Sequence, residues 1–223
     1  MSLGVGIATG LYGISFGALS VAAGLDLWQT QLLSILMFSG GSQFAFIGVV
    51  ASGGMASLPA AIASAWLLGI RNGFYALQMK PLLGFLGWKT PIAAQLNIDE
   101  TTGVATAQSN LADTRRGFWL TGIAVFVFWN VLTFAGAILG ESIGDPSAYG
   151  LDAAAAAAFL GLLWPRLRAL QPIAVAAAAA VIAVLLSPLL AAGLPILIAA
   201  LSAVVVGAFN IFAAKDSSGG DVA

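Results

Sequence analysis

Polar residues that could bind a small charged molecule occur at three places in otherwise apolar sequence. The first is the run Ser39-Gly40-Gly41-Ser42-Gln43, which interrupts a long apolar stretch near its middle. Two adjacent glycines disfavour a helix, and unwound backbone inside a membrane is tolerated only where it is buried in protein or lines a cavity. The run therefore predicts a broken helix whose N–H groups can bind a carboxylate. The alternative is a continuous helix with a glycine packing patch.

The second place is Arg71, which lies with Asn72 inside an apolar segment, nine residues before its Lys80 end. An arginine near the centre of a bilayer costs roughly 2.5–3.5 kcal/mol on insertion scales. Its helical face carries further polar residues: Ser57, Ser64, Tyr75 and Gln78. This stripe favours an Arg71 that faces a cavity. The alternative is that Arg71 and Lys80 both reach lipid headgroups.

The third place is Asn97-Ile98-Asp99-Glu100-Thr101-Thr102, within the more polar segment Pro91–Asp113. Read as one helix, this segment places its polar side chains on one stripe, formed by Gln95, Asp99, Thr102, Thr106, Asn110 and Asp113. Asp99 and Glu100 are predicted to interact with an amino group, a proton or Arg71. The alternative is an interfacial helix with solvated carboxylates. The candidate binding residues are Gly40, Gly41, Ser42, Gln43, Arg71, Asn72, Asp99, Glu100 and Thr101.

The composition predicts a membrane protein and excludes several kinds of site. Of 223 residues, 60% are hydrophobic and 8% are charged, and the mean hydropathy is +1.00. A chain so poor in charge can be dispersed only in lipid. The net charge of −1 with scattered Lys and Arg offers no basic surface for nucleic acid. The absence of Cys and His excludes thiolate and imidazole chemistry. We therefore expect no cofactor, no metal and no enzymatic activity.

Charges and Gly/Pro clusters divide the chain into apolar segments, each with about the 20 residues that a membrane crossing needs. The predicted segments are Leu3–Ala23, Trp28–Ser52, Ser57–Met79, Gly117–Gly140, Leu151–Leu163, Pro172–Leu190 and Gly193–Ala213. The prediction is an all-α, polytopic transmembrane bundle with seven or eight spans, depending on whether Pro91–Asp113 also crosses. It forms a single domain over 1–213, followed by a disordered polar tail over 214–223.

Further patterns concern how the spans pack against one another and how they are oriented in the membrane. Glycines at four-residue spacing predict close helix contacts, as at Gly13/Gly17 and Gly136/Gly140. Gly24-Leu25-Asp26 and Gly150-Leu151-Asp152 each follow a glycine-bearing span, which makes an internal repeat possible. Positive clusters favour a cytoplasmic C-terminus; they are Arg115/Arg116, Arg166/Arg168 and Lys215. Eight spans put the N-terminus inside but leave Lys80 and Lys89 outside, whereas seven put the N-terminus outside.

In this order, the landmarks resemble the AzlC family, the large subunit of bacterial branched-chain amino acid exporters, over residues 4–168. Phe38-Ser39-Gly40-Gly41-Ser42-Gln43-Phe44 resembles the family's FAGASQF motif. Weaker resemblances follow along the chain. Gly13-Ile14-Ser15-Phe16-Gly17 resembles the family's first-span signature, and Arg71-Asn72 with Tyr75 resembles its NLRH…Y element. Ile98-Asp99-Glu100-Thr101 resembles its TDE motif, and Gly150-Leu151-Asp152 resembles the start of its LDFALPA motif. The departures are Gly69 for Asn, Ile70 for Leu, Asn72 for His, and Ile98 for Thr.

The resemblance implies a multi-pass protein of the bacterial cytoplasmic (inner) membrane that exports branched-chain or other hydrophobic amino acids. It also implies a proton-driven process and a small AzlD-type hydrophobic membrane subunit as partner. From residue chemistry, we expect the break at Gly40–Gln43 to bind the substrate carboxylate, Asp99 or Glu100 to bind its ammonium, and Arg71 to poise that acid. The alternative is a non-transporting scaffold or channel subunit, which would tolerate neutral substitutions at these charged residues.

Overall fold

The computed structural model describes residues 1–84, 87–143, 160–161, 163–164, 167–190 and 194–209, and this part of the chain contains helices and no strands. The helices are α1 (Ser2–Ala22), α2 (Leu27–Leu36), α3 (Gly40–Gly53), α4 (Leu58–Leu83), α5 (Thr90–Gln95), α6 (Asp99–Thr106), α7 (Leu111–Ile143), α8 (Leu170–Leu186) and α9 (Leu194–Ala208), with 3-10 turns at Gly54–Ser57 and Gly87–Lys89.

The all-α class is confirmed. Three stretches are long and apolar enough to cross a membrane: Ser2–Ala22, Gly40–Leu83 and Leu111–Ser142. Most of the Leu151–Leu163 segment, the motif Gly150-Leu151-Asp152 and the tail 214–223 lie outside the described residues. The predictions made for them stay predictions.

Helices α1 and α7 run parallel and form the centre of the bundle. Gly6 faces Ala124 and Gly17 faces Ala137, so the contacts advance along both helices in the same direction. A methyl group added to Gly17 would overlap the carbonyl oxygen of Thr133. The predicted role of these glycines in close packing is confirmed, because only a missing side chain allows the two backbones to approach so closely.

The predicted second span is a helical hairpin and not a single crossing. Asp26 begins α2 with a capping box, and α2 ends at Leu36. Helix α3 then turns back, because Gln43 Nε2 reaches the carbonyl oxygens of Leu33 and Ser34 at 3.5 and 3.3 Å. Val50, farther along α3, packs beside Leu25, which precedes α2. The two helices are therefore antiparallel, and their tip lies near the middle of the bundle.

The predicted break is present, but it lies just before the glycines. Residues 37–39 are non-helical and Ser39 is extended (φ −160°, ψ 95°), whereas Gly40–Gln43 forms the first turn of α3. The predicted break around Gly40–Gln43 is therefore confirmed, with the unwound residues at 37–39 and not at the two glycines. The N–H groups in the first turn of any helix have no hydrogen-bond acceptor within that helix. Two glycines therefore destabilise a helix least when they lie in its first turn.

Helix α4 runs antiparallel to α3, and a second hairpin follows it. Gly41 faces Arg71 and Val50 packs with Ala61, which sets the direction of α4. Gln95, at the end of α5, donates to the carbonyl oxygen of Ile35 at 2.7 Å, so the tips of the two hairpins meet. Helix α6 then returns along the first half of α7. Its Thr101 lies beside Gly122, and its later residue Val104 lies beside Gly117.

The interpretation of Pro91–Asp113 as one helix is wrong, because the chain turns at residues 96–98. Ile98 is extended (φ −125°, ψ 176°). The hydroxyl of Thr101 accepts the Ile98 N–H at 2.9 Å and donates to the Leu96 carbonyl at 2.9 Å. These bonds satisfy the backbone at the tip and start a new helix. The polar side chains of the segment therefore do not form one continuous stripe.

The described part of the bundle contains the same arrangement twice. Helices α1–α3 form a long helix followed by a hairpin, and α4–α6 form another with the long helix running in the opposite direction. This pair of units differs from the repeat considered from Gly24-Leu25-Asp26. Because both hairpins return to the side on which they start, neither Trp28–Ser52 nor Pro91–Asp113 crosses the bundle. The structure therefore does not confirm seven or eight spans.

Candidate functional site

A cavity of about 70 Å³ lies between the two hairpin tips, near the middle of the bundle. Helices α1, α3, α4, α6 and α7 all contribute to its wall. Its polar lining includes Thr9, Tyr12, Ser39, Arg71, Asp99 and Glu100. Five of the nine candidate residues line it, namely Gly40, Gly41, Arg71, Asp99 and Glu100. This volume is below the roughly 300–1,000 Å³ of typical ligand pockets, so a bound amino acid would require the tips to separate.

Arg71 and Asp99 form an ion pair beside this cavity. The distance from Arg71 Nη1 to Asp99 Oδ2 is 3.2 Å, and the side chains are 29% and 26% exposed. The prediction that Arg71 lies inside the bundle and within salt-bridge reach of Asp99 or Glu100 is confirmed, with Asp99 as the partner. The alternative, in which Arg71 extends to lipid headgroups, is wrong.

The first turn of α3 stands against the guanidinium of Arg71. A Cβ on Gly41 would lie 3.1 Å from Arg71 Nη2, and a Cβ on Gly40 would lie 3.1 Å from the Trp129 ring. The glycines thus let both side chains approach the helix end. The N–H groups of Gly40, Gly41 and Ser42 have no intrahelical acceptor, and the helix dipole adds partial positive charge there. This side of the cavity suits a carboxylate.

The acids occupy the opposite hairpin tip, in the first turn of α6. Asp99 is the partner of Arg71, which leaves Glu100 as the acid farther from that cation. α6 is eight residues long and does not cross the bundle. Burial, and after it repulsion from Asp99, raises the pKa of Glu100 from its ordinary value near 4.5 to about 7. A carboxyl with this pKa can exchange a proton near neutral pH.

The other four candidate residues hold the hairpin tips together. Ser42 Oγ lies 3.2 Å from Ser39 Oγ, and Gln43 bonds the end of α2. The carbonyl oxygen of Asn72 accepts from Asn97 Nδ2 at 2.8 Å, which ties α4 to the second tip. Thr101 caps the turn before α6. None of the four lines the cavity, so their predicted substrate contacts stay untested.

Comparison with known proteins identifies the family to which the chain belongs. The profile of one family, described as AzlC protein, matches residues 4–143, which is more than half of the chain. The chain belongs to the AzlC family. No curated protein and no solved structure matches it. The matched range contains both hairpins and the whole cavity of this AzlC member.

Aromatic residues of the cavity wall were not among the sequence candidates. Trp129 of α7 is 3% exposed, and its Nε1–H has no hydrogen-bond partner within the described residues. It packs on Phe16 and Phe44 at ring-centroid distances of 6.1 and 6.3 Å. Tyr12 of α1 is half exposed at the rim. One feature of the sequence could have identified Trp129, namely a polar indole N–H inside an apolar span. A buried Trp usually has a hydrogen-bond partner for this group, so a polar site nearby could have been expected.

The site offers few ligands for a metal ion. Within the described residues, no group of three carboxylate, imidazole or thiolate side chains comes together. Its chemistry is instead that of one cation, one helix end and two acids inside apolar walls. Such a site can bind a small zwitterion and move a proton.

Proposed function

We propose that this chain is the large subunit of a transporter that exports branched-chain or other hydrophobic amino acids across the bacterial cytoplasmic membrane, and that protons moving inward drive it. One observation carries the proposal. A positive surface, formed by Arg71 and the start of α3, and an acid pair, Asp99 and Glu100, face one cavity with apolar walls. A zwitterion with an apolar side chain matches these features.

In this proposal, the substrate carboxylate binds the first-turn N–H groups of α3 and the guanidinium of Arg71. The ammonium binds Asp99, whose bond to Arg71 is weakened when the substrate carboxylate shares that cation. The side chain lies among Phe38, Phe44 and Val125, which are apolar parts of the wall. Opposed charges at fixed positions favour an α-amino acid over a simple anion or amine.

Glu100 is the proposed proton carrier. With a pKa of about 7, it is mainly protonated on the acidic outer side and mainly ionised at a more alkaline cytoplasmic pH. Inward proton movement therefore alternates with outward substrate movement at the same hairpin tip. When Glu100 is neutral, Asp99 is the one charged acid in the described cavity wall that can bind the ammonium, so the affinity is lower on the side where the substrate is released.

The two hairpins are the proposed gates. Each returns to the side on which it starts, and their tips meet through the bond from Gln95 to Ile35. Opening α2–α3 would expose the cavity to one side of the membrane, and opening α5–α6 would expose it to the other. Alternating access of this kind is typical of transporters with inverted repeats and broken helices.

A small AzlD-type subunit is the proposed partner. Arg71 and Tyr12 are partly exposed near the middle of the apolar helices α4 and α1, and Asp99, at the start of α6, is partly exposed beside Arg71. Contact between this ion pair and lipid would be costly. A membrane helix from a partner would cover the pair and complete the cavity wall. This supports export by the complex and not by the large subunit alone.

Export of valine from cells loaded with a valine-containing dipeptide tests the proposal. Cells with both subunits should accumulate less free valine than cells with either subunit alone. Arg71→Gln and Asp99→Asn should each weaken export and so raise the accumulation of free valine, while membrane levels of the protein stay normal. Equal accumulation with and without the pair would exclude this substrate class. Normal export in both variants would favour the alternative, in which the chain is a scaffold or channel subunit that tolerates loss of these charges.

A further inference from the structure

An apolar groove on the outer surface of the bundle lies apart from the central cavity. It separates the end of α4 from α5 and has a volume of about 750 Å³. Its floor is formed by Met79, Leu83, Ala93 and Phe118, which belong to one buried cluster. A groove of this size has room for part of an extended hydrocarbon chain, since drug-sized ligands occupy sites of roughly 300–1,000 Å³.

Basic side chains gather at one end of this groove. Lys80 lines it directly, as does Gly84. Arg115 donates from Nε to the Leu82 carbonyl at 3.0 Å, and its guanidinium lies against Gly84. Lys89 precedes α5 on the other rim. Within the described part of the chain, none of these three cations forms an ion pair. The rim therefore carries uncompensated positive charge.

The rim lies at the depth of the lipid headgroups. Lys80 follows Arg71, which is level with the central cavity, by nine residues of α4. At 1.5 Å per residue this is about 13 Å, close to half of a hydrocarbon core of about 30 Å. Trp88 is exposed at the same end, with the Lys89 ammonium 5.7 Å from its ring centroid. Aromatic residues of this kind are typical of the membrane interface.

We propose that this groove binds an anionic phospholipid, with an acyl chain along the apolar floor and the phosphate between Lys80 and Arg115. Charge complementarity identifies the occupant, because the cations at the rim have no acid partner among the described residues and the floor needs a hydrocarbon. A free anion would leave the floor exposed, and a zwitterionic lipid would leave the excess positive charge unbalanced. Basic pockets between transmembrane helices on the cytoplasmic side recognise anionic headgroups in this way.

Lipid retention by the purified full-length chain, measured by native mass spectrometry, tests the proposal. The probes are phosphatidylglycerol and phosphatidylcholine at equal concentration. Wild type should retain phosphatidylglycerol preferentially. Lys80→Gln and Arg115→Gln should each lower this retention about fivefold, the contribution expected of one basic side chain near an anionic surface. The matched control is Arg116→Gln, because Arg116 is exposed, adjacent and directed toward Asp113.

Two further measurements separate the lipid from other occupants. Ala76→Trp should fill the groove and reduce retention with all cations in place, since exposed Ala76 lines it. Inorganic phosphate at the same concentration as the lipid should not displace phosphatidylglycerol. The proposal is overturned if both lipids are retained equally, if Arg116→Gln lowers retention as much as Lys80→Gln, or if phosphate displaces the lipid. Thermal unfolding of each variant verifies that it is folded, and the result does not depend on transport.

Discussion

At the scale of single residues, Gly41 determines where the guanidinium of Arg71 stands. A methyl group at Gly41 would lie 3.1 Å from Arg71 Nη2, so the guanidinium would have to move away from the first turn of α3. We expect Gly41→Ala to reduce export about tenfold, comparable to losing one hydrogen bond to a charged group. The dipeptide export assay measures this. Gly48→Ala is the matched control, because the space beside Gly48 on the same helix is open.

Glu100 should determine how export responds to pH. Its pKa is raised to about 7, so the group gains a proton as the pH falls through neutrality and loses it as the pH rises. We expect Glu100→Gln to abolish the response of export to external pH on either side of about 7. Asp99→Asn should weaken export and leave that response in place, because Asp99 is the partner of Arg71. A wild-type pH response in the Glu100 variant would exclude this carboxyl as the proton carrier.

At the scale of elements, the sequence indicated where helices break but not where the chain turns back. Charges and paired glycines are rare in apolar segments, so Gly40-Gly41, Arg71 and Asp99 could be identified without a structure. The direction of the chain after each break depends on contacts distant in sequence. The bond from Gln95 to Ile35 joins residues that are 60 positions apart. Local helix propensities carry no information on such a contact, so the first hairpin was predicted as one broken span and the second as one helix.

The parallel pair α1 and α7 is the element contact most sensitive to volume. An added methyl group at Gly17 would overlap the Thr133 carbonyl oxygen. Overpacking of this kind costs typically 1–3 kcal/mol, so Gly17→Ala should lower the midpoint of thermal unfolding in detergent. Gly4→Ala, on the same helix but facing open space, should leave the midpoint unchanged. An unchanged midpoint in both variants would contradict the close approach of these helices.

At the scale of the whole molecule, the hairpins determine on which side of the membrane the charged residues lie. Helices α4 and α7 place Lys80 and Arg115 at one end of the bundle, near Gly84. Asp26, beyond the end of α1, lies at the other end. Interpreting Trp28–Ser52 as a crossing had left Lys80 and Lys89 outside when the N-terminus was inside. With a hairpin there, these lysines, Arg115 and the N-terminus share one side, which the positive-inside rule assigns to the cytoplasm.

Labelling of single cysteines tests this orientation, and the chain has no native cysteine to interfere. Trp28, in the first turn of α2, and Met55, just after α3, lie at the two ends of the first hairpin, and both are exposed. We expect Trp28→Cys and Met55→Cys to react with a membrane-impermeant maleimide added to intact cells. Lys89→Cys and Ser109→Cys, which flank the second hairpin, should react only after the cells are permeabilised. If Trp28–Ser52 crossed the membrane, one of the first two cysteines would be protected. The comparison therefore distinguishes a hairpin from a span, because a crossing reverses the side of everything that follows it whereas a hairpin does not.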